Sequence, residues 1–156
     1  NARFSLARTR GSPDVGDRYC APAIPNSSGR AGRIDAIGSI DLTRNELRLD
    51  AWSLPADSFG YFLVAPQRDS VIGLPNSVGR LCLGGSVGRF VAPGQVLDSG
   101  TVGAFFLEID LGGIPNPQLG LVPVQPGETW HFQAWHRDAV RGAATSNFTD
   151  GLSVTF

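Results

Sequence analysis

The fold is decided by a stretch near the end of the chain, Gln125-Pro126-Gly127-Glu128-Thr129-Trp130-His131-Phe132-Gln133-Ala134-Trp135-His136-Arg137-Asp138. After an opening Pro-Gly turn, the residues alternate between two faces. One face carries Trp130, Phe132 and Ala134, and the other carries His131, Gln133, Trp135 and Arg137. A period of two over this length predicts a β-strand with one face on a core and the other toward water. The stretch holds both histidines and two of the three tryptophans, so we expect part of any functional site to lie here.

Outward from this strand, the same alternation recurs along the chain. Further strands are predicted at residues 33–42, 46–54, 59–65, 80–83, 87–91, 96–97, 101–111, 119–124 and 152–156, with a short one at 4–6. Loops are predicted at residues 20–30, 67–77, 112–118 and 140–146. No window shows the apolar stripe of a helix. About eight to ten short strands with frequent turns predict an all-β fold, an antiparallel two-sheet β-sandwich of jelly-roll-like type.

Composition limits the size and the partners. A chain of 156 residues with 42% hydrophobic and 17% charged residues is large enough for one domain with a core. We assign residues 19–156 to that domain and residues 1–18 to a linker or edge segment. The net charge of −1 argues against nucleic acid as a partner. No apolar run is long enough for membrane insertion, and residues 1–10 lack the apolar region of a signal peptide. We expect a monomer.

The two cysteines, Cys20 and Cys82, lie far apart in sequence. A disulfide is the simplest use of such a pair, and it would stabilise the fold by roughly 4 kcal/mol on the chain-entropy model. The alternative is two buried free thiols. A disulfide would imply an oxidising compartment.

Several motifs point to chemistry that their context does not support. Gly84-Gly85-Ser86-Val87-Gly88 matches the nucleophile-elbow pattern, but the residues after it cannot form the required helix, so we interpret it as a turn. His131 and His136 fall on opposite faces of one strand and cannot chelate one metal together.

We expect no catalytic residues and no cofactor. A structural calcium site is left open, with candidate carboxylates at Asp14, Asp17, Asp35, Asp41, Asp138 and Asp150. The sequons at Asn26 and Asn147 are interpreted as turn residues.

The most informative side chains are two tryptophans with polar neighbours. Trp52 shares a face with Arg48 and Asp50, and Trp135 shares one with His131, Gln133 and Arg137. A flat apolar ring beside hydrogen-bonding groups suits a sugar, whose C–H face is rimmed with hydroxyls. We therefore predict Trp52 and Trp135 as stacking residues. Their predicted hydrogen-bonding neighbours are His131, Gln133 and Arg137. The alternative is that a loop or a second layer covers each indole.

The chain also resembles a module found at the C-terminal end of large secreted proteins of environmental bacteria. The resemblance covers roughly residues 19–156. It is carried by Tyr19-Cys20, Phe59-Gly60-Tyr61-Phe62-Leu63, Leu81-Cys82-Leu83-Gly84-Gly85, Pro126-Gly127-Glu128-Thr129-Trp130 and Thr145-Ser146-Asn147-Phe148-Thr149-Asp150-Gly151. It implies a secreted or extracellular location. It also implies an attached upstream domain, which could be an enzyme. It implies no particular activity and no functional residues.

Together these observations predict a non-catalytic accessory module of a secreted multidomain protein that binds a polysaccharide or cell-surface glycan. The alternative function is a structural, adhesion or secretion and sorting module without glycan affinity. A small hydrolase is the least favoured reading.

Overall fold

The computed structural model describes residues 14–156, so the strand predicted at residues 4–6 lies outside the described part. Within residues 14–156 the chain forms fifteen strands and no helix. The strands are β1 (Asp14–Val15), β2 (Asp17–Tyr19), β3 (Arg33–Gly38), β4 (Leu47–Trp52), β5 (Phe59–Ala65), β6 (Gln67–Val71), β7 (Leu81–Gly84), β8 (Gly88–Arg89), β9 (Leu97–Asp98), β10 (Phe105–Ile109), β11 (Ile114–Asn116), β12 (Gly120–Val122), β13 (Thr129–Val140), β14 (Ala143–Phe148) and β15 (Gly151–Thr155). The all-β prediction is confirmed.

Two antiparallel sheets form the body of the molecule. Sheet A has the strand order β1-β3-β4-β10, and sheet B has the order β2-β15-β13-β5-β8. In sheet B, β14 also pairs with β13, and β9 pairs with β5. Two further hairpins, β6–β7 and β11–β12, form small sheets of their own. The predicted hairpin of the segments at 33–42 and 46–54 is confirmed by the pairing of β3 with β4.

The core fills the space between the two sheets. Sheet A contributes Ile34 and Leu49, and sheet B contributes Phe62 and Phe132, all with no exposed surface. Burying a large apolar side chain of this kind contributes about 1.5–3 kcal/mol. Because each strand alternates, the side chains between these positions point out of the sandwich, away from the opposite sheet.

Strand β13 is the centre of sheet B. Its Trp130, Phe132 and Ala134 lie in the core, as the alternation predicts. One edge of β13 pairs with β5, and the other edge pairs first with β15 and then with β14. Because β13 is the central strand of sheet B, its side chains form the middle of the core face and the middle of the outward face.

The outward face of sheet B is largely covered. A second apolar cluster of Leu63, Ala65, Leu83 and Phe148 lies there, with Leu81 and Leu83 supplied by β7. The Cys20–Cys82 disulfide connects the end of β2 to β7 across 62 positions, which confirms the predicted bridge. The hairpin β6–β7 is thereby held against the sheet.

Three predicted loops contain strands: β6, β11 and β14. The β13–β14 hairpin shows why such strands are missed. Its register brings Val140 opposite Ala143, and the two connecting residues, Arg141 and Gly142, have positive φ angles of 51° and 78°. This is the two-residue turn that suits a twisted hairpin, but an Arg-Gly pair is a much weaker sequence signal than Asn-Gly.

The strand predicted at 33–42 ends earlier, at Gly38. This glycine has a φ of 116°, and a Cβ atom there would lie 1.8 Å from the carbonyl oxygen of Glu46. Only glycine fits so close an approach of two backbones.

Residues 14–19 join both sheets, since β1 pairs with β3 in sheet A and β2 pairs with β15 in sheet B. The side chain of Arg18 strengthens this connection. It donates hydrogen bonds to Asp35 of sheet A and to Asp150, which directly precedes β15.

In the described part of the chain there is no helix long and apolar enough to cross a bilayer.

Candidate functional site

A row of three aromatic side chains crosses the outward face of sheet B. Trp135 of β13 lies opposite Tyr61 of β5 on one side and opposite Phe148 of β14 on the other. The rings of Tyr61 and Trp135 are stacked, with centroids 4.8 Å apart and planes 24° apart. Both residues are half-buried, so the stack fixes the indole while leaving part of it open.

These aromatic residues line an open groove of about 320 Å³. This volume is at the lower end of the range for small-molecule sites, about 300–1,000 Å³. One wall comes from the segment after β6, with Leu74, Pro75 and Ser77, and the other comes from β8 and the residue before it, with Val87 and Arg89. The groove therefore combines an aromatic floor with a wall that carries a guanidinium group.

The indole nitrogen distinguishes Trp135 from the other two tryptophans. Trp130 donates its Nε1–H to the Glu128 carboxylate at 3.0 Å, and Trp52 donates its Nε1–H to Asp35. Within residues 14–156 the Nε1–H of Trp135 and the hydroxyl of Tyr61 have no protein partner, and neither atom is among the buried unsatisfied groups. Both polar atoms are therefore free to bond with water or with a ligand in the groove.

His131 and Gln133 differ from the exposed position that the alternation predicts, because β6 and β7 cover them. The Gln133 Oε1 accepts the Cys82 N–H at 2.9 Å, and its Nε2 donates to the carbonyls of Arg80 and Thr149. Its whole amide is thus satisfied by the protein: two bonds connect it to β7 and the residue before β7, and the third goes to Thr149, between β14 and β15. Gln133 is fully buried, so it does not reach a ligand in the groove.

His131 belongs to a separate buried cluster. Its Nδ1 lies 2.7 Å from Ser153 Oγ, which also accepts a hydrogen bond from Arg68 Nε. The Tyr19 ring packs edge-on against the imidazole, 5.8 Å away. Burial, together with the charge of Arg68, lowers the pKa of His131. Burial also raises the pKa of Tyr19 to about 12. These groups brace the cover of sheet B and do not line the groove.

The two remaining predicted ligand-binding residues, Arg137 and Trp52, lie on different sheets. Arg137 is exposed and lies two residues beyond Trp135, so the two share a face of β13. Trp52 points outward from sheet A, on the opposite side of the sandwich from Trp135, because its neighbour Ala51 lies in the core. The Arg33 guanidinium lies 4.6 Å from the Trp52 ring centroid. The two tryptophans predicted as stacking residues therefore cannot contact one ligand ring together.

The remaining candidate chemistry is accounted for by the fold. Ser86 lies in the turn between β7 and β8, no helix follows it, and its Oγ donates to Gln118 at 3.3 Å, as the turn interpretation predicts. Asp138 accepts the N–H groups of Ser27 and Ala139. His136 Nδ1 donates to the carbonyl of Arg137, so His136 and Asp138 form no acid–base pair. In residues 14–156 no three His, Cys, Asp or Glu side chains are grouped to hold a metal ion.

The two sequons have different outcomes. Asn26 lies at a turn, where its Oδ1 accepts the Ser28 N–H at 2.9 Å, as predicted. Asn147 lies in β14 and is fully buried, so its assignment to a turn is wrong. Its Nδ2 donates to the carbonyl of Ile24 and to Asp138.

The sequence pattern predicts Trp135 as a ligand-contacting residue but does not predict the other residues that line the groove. The alternation of β5 places Tyr61 on the outward face, and this signal is present in the sequence. Arg89 was not identified, because its place beside Leu63 depends on the pairing of β5 with β8. That pairing joins segments far apart along the chain, and no local pattern reports it.

Comparison of the chain with protein-family models, with curated proteins and with solved structures finds no match.

Proposed function

We propose that this protein is a non-catalytic carbohydrate-binding module that acts as a monomer, and that Trp135 and Tyr61 form its ligand platform. The observation that carries the proposal is the indole of Trp135, which is held by stacking, lines an open groove and keeps its N–H without a partner among residues 14–156. An aromatic ring with a nearby free donor matches a sugar, because it offers an apolar surface for C–H groups and a hydrogen bond for a hydroxyl.

We also propose that the module is secreted, as part of the multidomain protein that the sequence resemblance implies. The Cys20–Cys82 disulfide supports this, since such bonds persist mainly in oxidising compartments. The same bond holds β7 against sheet B, and Leu81 of β7 lines the groove. An oxidising compartment would therefore also preserve the shape of the groove, because the disulfide holds one of the strands that line it.

The test is binding to a panel of soluble and insoluble polysaccharides, measured by calorimetry, affinity electrophoresis and pull-down. Trp135→Ala should weaken binding about tenfold or more, because it removes the central aromatic contact. Trp135→Phe keeps a ring in the stack but loses the N–H donor, so its affinity should lie between those of the wild type and the alanine variant.

Trp52→Ala is the matched control, because it removes the same side chain from the opposite side of the sandwich. It should bind as the wild type does. Each variant is first checked for folding by thermal unfolding. Absence of binding to every polysaccharide, or equal binding by folded wild type and Trp135→Ala, would remove the proposal.

The alternative is a protein-contact module without glycan affinity. It is favoured by Leu119, in the turn of the β11–β12 hairpin, and by Leu121 of β12, which are 74% and 71% exposed. Large apolar side chains exposed together are typical of contact surfaces. Replacing both with serine should then impair surface retention or export of the full protein, whereas glycan binding through the groove predicts no effect.

A further inference from the structure

The charge of the groove is one-sided. Among the residues that the structure describes, Arg89 is the one charged residue that lines it, and the lining has no aspartate or glutamate. A second exposed arginine, Arg137, lies on the same face of sheet B, two residues beyond Trp135. Asp98 of β9, opposite Phe59, places a carboxylate on the same face, but it lies outside the groove lining and its Oδ1 accepts the Gly100 N–H, so the lining itself carries positive charge.

The donors of Arg89 have no partner among residues 14–156. Arg18, Arg44 and Arg48 each pair with a carboxylate of the protein. In the part of the chain that the structure describes, the guanidinium of Arg89 has no hydrogen bond, ion pair or ring contact. A guanidinium carries five N–H donors in a planar fork, and this one can offer all of them to a bound molecule.

The sheet register gives the distance between this cation and the aromatic stack. Arg89 of β8 is directly opposite Leu63 of β5, and Tyr61 is two residues away along the same face. Diagonal neighbours of this kind are about 7–8 Å apart. An arginine reaches across that distance to an anionic group on a sugar that rests on Tyr61 and Trp135.

From these three observations we infer that the groove selects glycans that contain uronic acids, with Arg89 binding the sugar carboxylate. A carboxylate matches the guanidinium fork with two parallel hydrogen bonds, which gives both strength and orientation. Arg137 lies on the far side of the stack and outside the groove lining, so the carboxylate contact is assigned to Arg89 alone. This inference rests on the proposed function and narrows its ligand class.

The experiment compares ligands that differ only in charge. Polygalacturonate is the acidic probe, and the same polymer with its carboxylates methyl-esterified is the neutral one. The folded wild type should bind the acidic polymer at least tenfold more tightly, and added salt should weaken that binding. Alginate is a second acidic probe, and dextran sulfate tests whether any anion suffices.

The variants separate Arg89 from general charge. Arg89→Ala should reduce affinity for the acidic polymer about tenfold and leave binding of the neutral polymer unchanged. Arg89→Lys keeps the charge without the fork and should recover only part of the affinity. Arg44→Ala changes the net charge equally, on the β3–β4 hairpin of sheet A, and should have no effect.

The outcomes are distinguishable. Equal binding of the two polymers, an unchanged preference in Arg89→Ala, or dextran sulfate bound as tightly as the uronates would overturn this inference while the proposed function stands. If no uronate binds but a neutral glycan binds through Trp135, only the ligand class is wrong. If no glycan binds at all, the proposed function fails and this inference fails with it.

Discussion

Replacing Arg18 with methionine tests how the two sheets are held together at their edge. Its guanidinium lies between Asp35 of sheet A and Asp150 beside sheet B, with Nη1 2.6 Å from an Asp150 oxygen. The Asp150 carboxylate is 2% exposed and that of Asp35 is 12% exposed, while Arg18 is 25% exposed. Removing one partner of a fully buried ion pair costs about 3–5 kcal/mol. Because water reaches part of Arg18, we expect a loss of about 2–3 kcal/mol in the free energy of unfolding.

For a chain of this length, 1 kcal/mol shifts Tm by about 2–4 °C, so Arg18→Met should lower Tm by about 4–12 °C. Arg44→Met is the matched control, because the Arg44–Glu46 pair is 60% and 58% exposed. Its loss should cost at most about 0.5 kcal/mol. Urea unfolding at pH 7 measures both variants.

The effect of Arg18→Met should also depend on pH. Burial raises the pKa of Asp150, and Arg18 opposes that rise. Without Arg18 the pKa of Asp150 should rise further, so the carboxyl is neutral at a higher pH and no longer requires a cation. The difference in stability between wild type and variant should therefore shrink as the pH falls toward 4. An Arg18→Met variant as stable as Arg44→Met at pH 7 would refute this account of the sheet edge.

Two further predictions concern stability. Replacing Cys20 and Cys82 with alanine should cost roughly 4 kcal/mol, as expected for a bond that closes 62 positions of chain; a loss below about 1 kcal/mol in urea unfolding would contradict this. Burial lowers the pKa of His136, whose Nε2 is buried and without a partner in residues 14–156, so the unfolded chain takes up the proton more readily than the folded one. Stability should therefore fall as the pH drops below about 6.5, the ordinary pKa of a histidine in the unfolded chain. His136→Gln should reduce that slope, and an unchanged slope would exclude His136 as its source.

The sequence predicts best where one face of a strand is apolar. Strands β4 and β13 alternate clearly, and β5 is apolar on both faces, so all three are identified from their residues alone. Strands β6 and β14 are rich in small and polar residues, and β6 is mostly exposed. They form because β7 and β13 offer them backbone hydrogen-bonding partners. The residues that determine these pairings lie outside β6 and β14.

The candidate site shows the same limit. Trp135 could be predicted, because an indole among polar residues on a half-buried strand is a visible anomaly. The burial of Gln133 could not, since it follows from the disulfide and the hydrogen bonds that place β7 over sheet B. Likewise, Trp52 and Trp135 look equivalent in sequence and are separated only by which sheet each strand joins.

The position of β13 also affects how this protein can diversify. Trp135, on the groove floor, sits on the strand that builds the core, so exchanging it would affect the fold together with the proposed binding. Pro75, Ser77 and Arg89 line the groove but belong to neither apolar cluster. Changes in the groove walls should therefore cost the scaffold little, and engineering of the proposed ligand preference should begin at these three positions.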